Sequence, residues 1–243
     1  MELIFILTVV LVFLIVFTIE VIAPASKNSC DKRWLILSSG VNAFQSIFTV
    51  VAGLVFTQTF SQTAVFQLST HNIVVQGAAG FALTSFIAYW WHRAMHKFDL
   101  LWRIFHQLHH SPRRIEALSS FYMHPLDGIA ATFLNAMSCY VILGLNAYGT
   151  AISLLIAAIY NIYIHADLRT PYWLGFLLQR PEMHRVHHKH MHHSHNYGLA
   201  IWDLLFGTFE NPRVYVKEVG FDEDRERKIY DMLRGRDVYK MKS

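Results

Sequence analysis

Cysteine is scarce in this chain of 243 residues: Cys30 and Cys139 are the whole supply, and neither has the spacing of a disulfide framework or of a thiolate metal site. Charge is thin as well, at 16% of residues. Lys and Arg are missing altogether before Lys27, between Trp34 and His92, and between Ile115 and Asp167. No glycine-rich dinucleotide fingerprint occurs, and the length leaves no room for a flavin or haem domain, so any electrons must come from outside. The net charge of +4 is not interleaved with a recognition motif, which excludes nucleic acid as a partner.

What is present is apolar. Hydrophobic residues make up 53% of the chain, with a positive mean hydropathy, a composition that places it among integral membrane proteins. Leu3 to Ala23 is long enough to span a bilayer as a helix. Ala23-Pro24-Ala25 faintly resembles a signal cleavage site, but no basic segment precedes the apolar run, so a retained anchor is expected. Further apolar stretches run from Trp34 to about Thr57 and from Asn72 to Trp91. Ile129 to Leu145 and Ala147 to Ile164 form a helical hairpin broken near Gly144–Gly149. The expected fold is therefore all-α, with four to five transmembrane or membrane-embedded helices. All basic residues fall on one side of this map, so the positive-inside rule puts the histidine-rich segments and the C-terminus in the cytoplasm and the N-terminus opposite.

Histidine is the residue in excess, with 15 copies. His92-x-x-x-His96, His106-x-x-His109-His110 and His184-x-x-His187-His188 each project imidazoles from one face of a helix. Eight imidazoles are too many for a mononuclear site and suit two metal ions. Asp99 is the expected N-cap of the helix bearing the first trio, and Pro181 with Glu182 opens the helix bearing the second. His192 or His195 would share the face of His188 if that helix continued, leaving His190 and His193 in a solvent-exposed tract. His71 lies at the far end of its span, about 30 Å from His92 by helical rise, and is excluded. The boxes form no Glu-x-x-His pair, so Glu116, Asp127, Asp167, Glu182 and Asp203 are expected to orient imidazoles through their outer nitrogens rather than to bridge metals, Asp127 and Asp203 foremost. Arg93 and Arg185, each following a box-opening histidine, would pair such carboxylates, anchor lipid phosphate or simply set topology. The aromatics between Phe81 and Trp91 line an acyl channel or face lipid.

The three boxes resemble those of the fatty acid hydroxylase/sterol desaturase superfamily of membrane di-metal oxygenases. The resemblance extends to His124-Pro125-Leu126-Asp127, to His165 with Arg169-Thr170-Pro171, to Asn196-Tyr197-Gly198 and to the run Trp202–Thr208, covering roughly Thr84 to Pro212. It implies a cytosolic helical cap holding two iron ions that use O2 to oxidise an unactivated C–H bond of a lipid. His124 and His165 match family positions with extra metal-site histidines. An external electron donor such as cytochrome b5 or ferredoxin is also implied. Hydroxylation of a fatty acyl or sterol-like substrate is the expected reaction, with desaturation at the same centre as the alternative and a non-catalytic metal-binding membrane protein as the second. The expected organisation is 1–83 as transmembrane helices, 84–213 as the catalytic domain and 214–243 as a charged, solvated tail.

Overall fold

The computed structural model describes residues 2–26, 31–60, 64–190 and 194–241, which are helical and contain no strand beyond one isolated bridge. Among the described residues, five helices are long and apolar enough to cross a membrane. In chain order they are α1 (Glu2–Ile22), α2 (Lys32–Phe60), α3 (Ile73–Lys97), then, after the short α4 (Asp99–Leu101), α5 (Pro125–Ile142) and α6 (Ala147–His165). Outward faces such as Leu7, Leu11 and Leu14 on α1 and Ile47, Val51 and Leu54 on α2 are exposed and wholly apolar. Water would penalise such a surface, whereas lipid accommodates it.

Between the spans, small and polar residues replace the bulky apolar ones. Gly77 on α3 meets α6 so closely that an added Cβ would lie 2.2 Å from Ile152 Cγ2. Deeper in the bundle the Asn135 amide donates to Ser153 Oγ at 2.8 Å and to Thr84 Oγ1 at 3.4 Å, joining α5, α6 and α3. Close backbone approach and interhelical hydrogen bonds replace the hydrophobic drive that lipid removes.

Alternation of the spans brings the end of α1, the start of α2, the end of α3, the start of α5 and the end of α6 to one end of the bundle. α3 starts where its cap dictates: the Asn72 side chain accepts the Val74 N–H. It does not stop at Trp91, however, but continues to Lys97, so the first histidine pair rides on the span itself. The cap over this end contains α4 (Asp99–Leu101, continued by a π-helical turn Trp102–His106), α7 (Pro181–His187), α8 (Ala200–Phe206), α9 (Glu223–Glu226) and α10 (Ile229–Leu233). Asp99 is not the N-cap of α4, a position taken by Phe98; its carboxylate pairs with Arg103 and Lys240 instead. Glu20 at the end of α1 ties the cap down by accepting the backbone N–H groups of Ala117 at 2.9 Å and Asp167 at 2.6 Å.

The C-terminal segment differs most from expectation. It is charged, but it is not a solvated appendage: Val219, Phe221, Met232 and Val238 are buried, the last three in one core with Trp34, Leu108, Leu118 and Tyr122. Four apolar residues scattered over twenty positions give no periodic stripe, which is why the segment reads as solvated. Gly220 makes the approach possible, with φ at +73° and no room for a Cβ against the Pro112 carbonyl.

Burial of this kind has a measurable cost when removed. Phe221→Ala should destabilise the cap by about 3–5 kcal/mol, seen as a lower Tm of the detergent-solubilised protein; an unchanged Tm would mean that the tail is not part of the folded core.

Candidate metal centre

Among the described residues nine histidines meet under the cap, and they do not meet box by box. His92, His96, His106, His110 and His187 form one group; His109, His165, His184 and His188 form the other, with ligand atoms within 4.8 Å of one another inside each group. Each trio is thus divided. On α4 and the turn after it, His106 and His110 face the first group while His109 faces the second; around α7, His187 faces the first while His184 and His188 face the second. The two groups adjoin, the His110 and His188 rings stacking at 4.1 Å.

The outer nitrogens explain how the rings are aimed. His92 Nδ1 donates to the Tyr197 carbonyl at 2.6 Å, His109 Nδ1 to Tyr122 at 3.3 Å, His165 Nδ1 to Asn161 at 2.8 Å, and His187 Nδ1 to His195 at 2.9 Å. His106 Nδ1 donates to the Asp127 carboxylate at 3.0 Å. A carbonyl can only accept, so in a neutral ring the Nδ1 proton leaves Nε2 as an unprotonated acceptor. These acceptors converge: His106 and His92 approach Nε2 to Nε2 at 2.8 Å, His165 and His109 at 3.2 Å. Two facing lone pairs repel unless a cation lies between or beside them, so the donor set fits metal ions well.

Burial keeps the cap histidines in the form that binds. His109, His110, His184 and His188 are all held well below the ordinary imidazole range, first by desolvation and then by one another's nearness. A protonated ring would gain no solvation here and would face its neighbours' positive charge. The buried Nδ1 atoms of His184 and His188 lack a hydrogen-bond partner among the described residues.

Several expected roles move. His124 caps α5: its Nδ1 accepts the Leu126 N–H and its Nε2 donates to the Leu233 carbonyl, so both nitrogens are engaged outside the two groups. His165, its companion in the sequence argument, does join the second group. α7 ends at His187 and does not extend toward His195. Instead His188 receives Gly220 N–H on its carbonyl and Lys189 bridges to Val219. His195 turns away at φ +69°, its ring beside Ser194 and Glu210, while His190 donates to the Gly220 carbonyl. His192 and His193 lie outside the described residues. His71 is exposed at the opposite end of α3.

Of the five carboxylates, only Asp127 touches an imidazole among the described residues. Glu116 accepts the Trp34 indole N–H, Asp167 is held by Ser26 and Tyr215, and Glu182 accepts from Thr170 and pairs with Arg180. Asp203 acts one step further out. It accepts the N–H groups of Tyr197 at 2.8 Å and Gly198 at 3.2 Å and the Thr208 hydroxyl at 2.6 Å, fixing the turn whose carbonyl orients His92. Burial pushes the Asp203 carboxyl up to about 6. Tyr197 also packs against His92, His96 and His187. The Asn196-Tyr197-Gly198 motif was the only signal for it in the sequence. Arg185 is buried against the backbone of Val216 and Lys217, with Asp167 at 4.0 Å, and Arg93 lies over Tyr89 and Trp90. The α3 aromatics are partly spent on the cap, Phe86 and Tyr89 packing on Trp202 and Phe206.

A helical membrane bundle with a buried, two-part polyhistidine site at one end defines a class of membrane metalloprotein. Within it, the chain belongs to the fatty acid hydroxylase family, whose profile matches residues 77–208, more than half its length. Among curated relatives, an ornithine lipid hydroxylase of Rhizobium tropici is 33% identical over 56% of this chain and 42% of its own length. The very-long-chain aldehyde decarbonylase GL1-9 of Oryza sativa subsp. indica is 26% identical over 75% of this chain and 74% of its own. Human lathosterol oxidase is 28% identical over 60% and 49% respectively. The chain thus spans less than half of the first and third of these relatives. No solved structure matches.

The hydrogen bonds to the outer nitrogens make a separable prediction. Asp127→Asn and Asp203→Ala should each weaken metal affinity by about 10–100-fold, measured by competition with a chelator; unchanged affinity in both would show that neither carboxylate sets the ring geometry.

Proposed function

We propose that this protein is an O2-dependent di-iron hydroxylase that acts on an aliphatic C–H bond of a membrane lipid. The observation that supports this most directly is the division of nine histidines, seven buried and His92 and His96 half-buried, into two adjoining groups of converging ring nitrogens. His92, His96, His106, His110 and His187 would hold one ion, and His109, His165, His184 and His188 the other. Neutral imidazole suits several transition metals, and iron is the redox-active choice that the family suggests. Two bound irons would supply the capacity to activate O2 for attack on an unactivated C–H bond.

The chain's own residues do the rest. Asp127 and the carbonyls of Tyr122, Asn161, Tyr197 and His195 fix ring tautomer and direction. The cap excludes bulk water from the site, and the spans deliver a lipid chain from the bilayer to the reacting position. Related proteins are named for hydroxylation of ornithine lipid and for C4-hydroxylation of sphingolipid, which favours a fatty acyl or sterol-like substrate here. Residues 84–213 make up the catalytic unit, 1–83 the anchoring helices, and 214–243 a charged segment that closes the cap. With all basic residues at the histidine end, this end and the C-terminus face the cytoplasm, the N-terminus lies opposite, and an acidic donor such as cytochrome b5 or ferredoxin docks there.

Detergent-purified protein should contain about two iron-group ions per chain, and His187→Ala and His109→Ala, one from each group, should each lose at least one. With reductant and lipid extract it should consume O2 and yield a hydroxylated lipid. Metal held without any O2 consumption would favour a non-catalytic membrane metal-binding protein.

A further inference from the structure

On the outer side of α7, a cleft of about 270 Å³ opens between the loop that follows α6 and the loop that precedes the tail. Its walls include Arg169, Arg180 and Arg213, the rings of Tyr172 and Tyr215, and a single carboxylate, Glu182. The arginines here form two tiers. Arg180 and Arg185 are the inner tier, 3% and 0% exposed. Arg180 donates to Asn211 and to the carbonyls of Thr170 and Pro212, and pairs with Glu182. Arg185 donates to the Val216 carbonyl and has Asp167 beside it. Arg180 is fully engaged by protein, whereas Arg185 is fully buried with its Nη1 making no hydrogen bond among the described residues, only the 4.0 Å approach to Asp167.

Arg169 and Arg213 are the outer tier. Each stacks on the same tyrosine as an inner arginine, Arg213 over Tyr172 at 4.2 Å and Arg169 over Tyr215 at 5.4 Å. Neither makes a hydrogen bond or ion pair to another described residue. Stacking fixes the position of each guanidinium while leaving its N–H fork unused. Two preset forks on opposite loops, with no carboxylate of their own, suit a tetrahedral anion that offers oxygens to both; a carboxylate would be satisfied by one.

The surroundings distinguish a lipid from a free anion. Tyr172 opens the short 3-10 turn Tyr172–Phe176, where Trp173, Phe176, Leu177 and Leu178 are exposed in succession. Neighbouring α8 adds Ile201, Leu204 and Leu205, the last 64% exposed. This apolar apron follows directly on Tyr172 of the cleft wall and suits the boundary between headgroups and acyl chains. The volume lies near the low end of ligand pockets, which matches a headgroup and not a whole lipid.

We propose that this cleft binds the phosphate of an anionic membrane phospholipid, with Arg169 and Arg213 as the phosphate clamp and the adjoining apron seated among its chains. The site stands independently of the oxidative reading, because it requires binding and no turnover.

Native mass spectrometry of the full-length protein released from detergent tests it, with dioleoyl phosphatidylglycerol as probe. A retained one-to-one adduct should weaken at least tenfold in Arg169→Gln/Arg213→Gln, while dioleoylglycerol, lacking the phosphate, gives no adduct in either protein. Arg227→Gln/Arg236→Gln removes equal charge elsewhere on the cap and should leave the adduct intact. Equal loss in both double variants, or no loss in the first, overturns the site, as does equal retention of dioleoylglycerol. Inorganic phosphate displacing the lipid at comparable concentration overturns the lipid assignment in favour of a free-anion site. Metal content, unchanged in both variants, confirms that the fold survives and separates this result from any failure of the iron reading.

Discussion

The structure depends on an arrangement that is unfavourable by itself: nine imidazoles in a dry space, several with nitrogen lone pairs pointing at one another. Imidazole rings in water would turn away or take up protons. Five of them are prevented from turning by hydrogen bonds behind them, four to carbonyls and one to Asp127. His109, His110, His184 and His188 are discouraged from protonation by burial, which would leave a new charge unsolvated beside its neighbours. The result is a preorganised set of neutral donors whose repulsion a metal ion relieves, so the work of assembling the site is done by folding before any ligand arrives.

Much of the rest can be understood as support for that arrangement. The parity of five spans brings five helix ends to one side, which lets α3, α6 and the cap contribute histidines from distant parts of the chain. Small residues and interhelical hydrogen bonds hold the spans at fixed spacing, so that His92 on α3 and His165 on α6 arrive at one depth. Above them the tail closes the cap, and Gly220 hydrogen bonds to the backbone of His188 itself. Asp203 has a similar indirect role: a carboxylate held by three donors shapes the turn that orients His92. The carboxylates that touch no ring stabilise loops, with Glu20 and Asp167 linking α1 to the segments around the site.

The positions of the spans were readable because bilayer thickness imposes a length and lipid imposes apolarity, both of which are local properties of sequence. The start of α3 falls where the sequence put it, at its Asn72 cap, whereas its other end lies further on because the helix outruns its apolar stretch from His92 to Lys97. The tail was misread for the opposite reason. Phe221, Met232 and Val238 are buried against a surface formed from Trp34, Leu108, Leu118 and Tyr122, and no window of the sequence contains both sides of that contact.

At the histidine cluster, helical spacing alone puts eight imidazoles on shared faces, because i, i+3 and i+4 lie on one side of a helix, and the structure gathers all eight. How they divide between two groups follows from packing. Adjacent His109 and His110 diverge by about a third of a turn, as do His187 and His188, so each trio feeds two groups and each group draws on three segments. His124 and His165 could not be separated by sequence, since both sit next to a span end. One is spent capping α5 and the other, at the last turn of α6, reaches the centre: the difference lies in what each ring nitrogen meets, which is a property of the packed molecule.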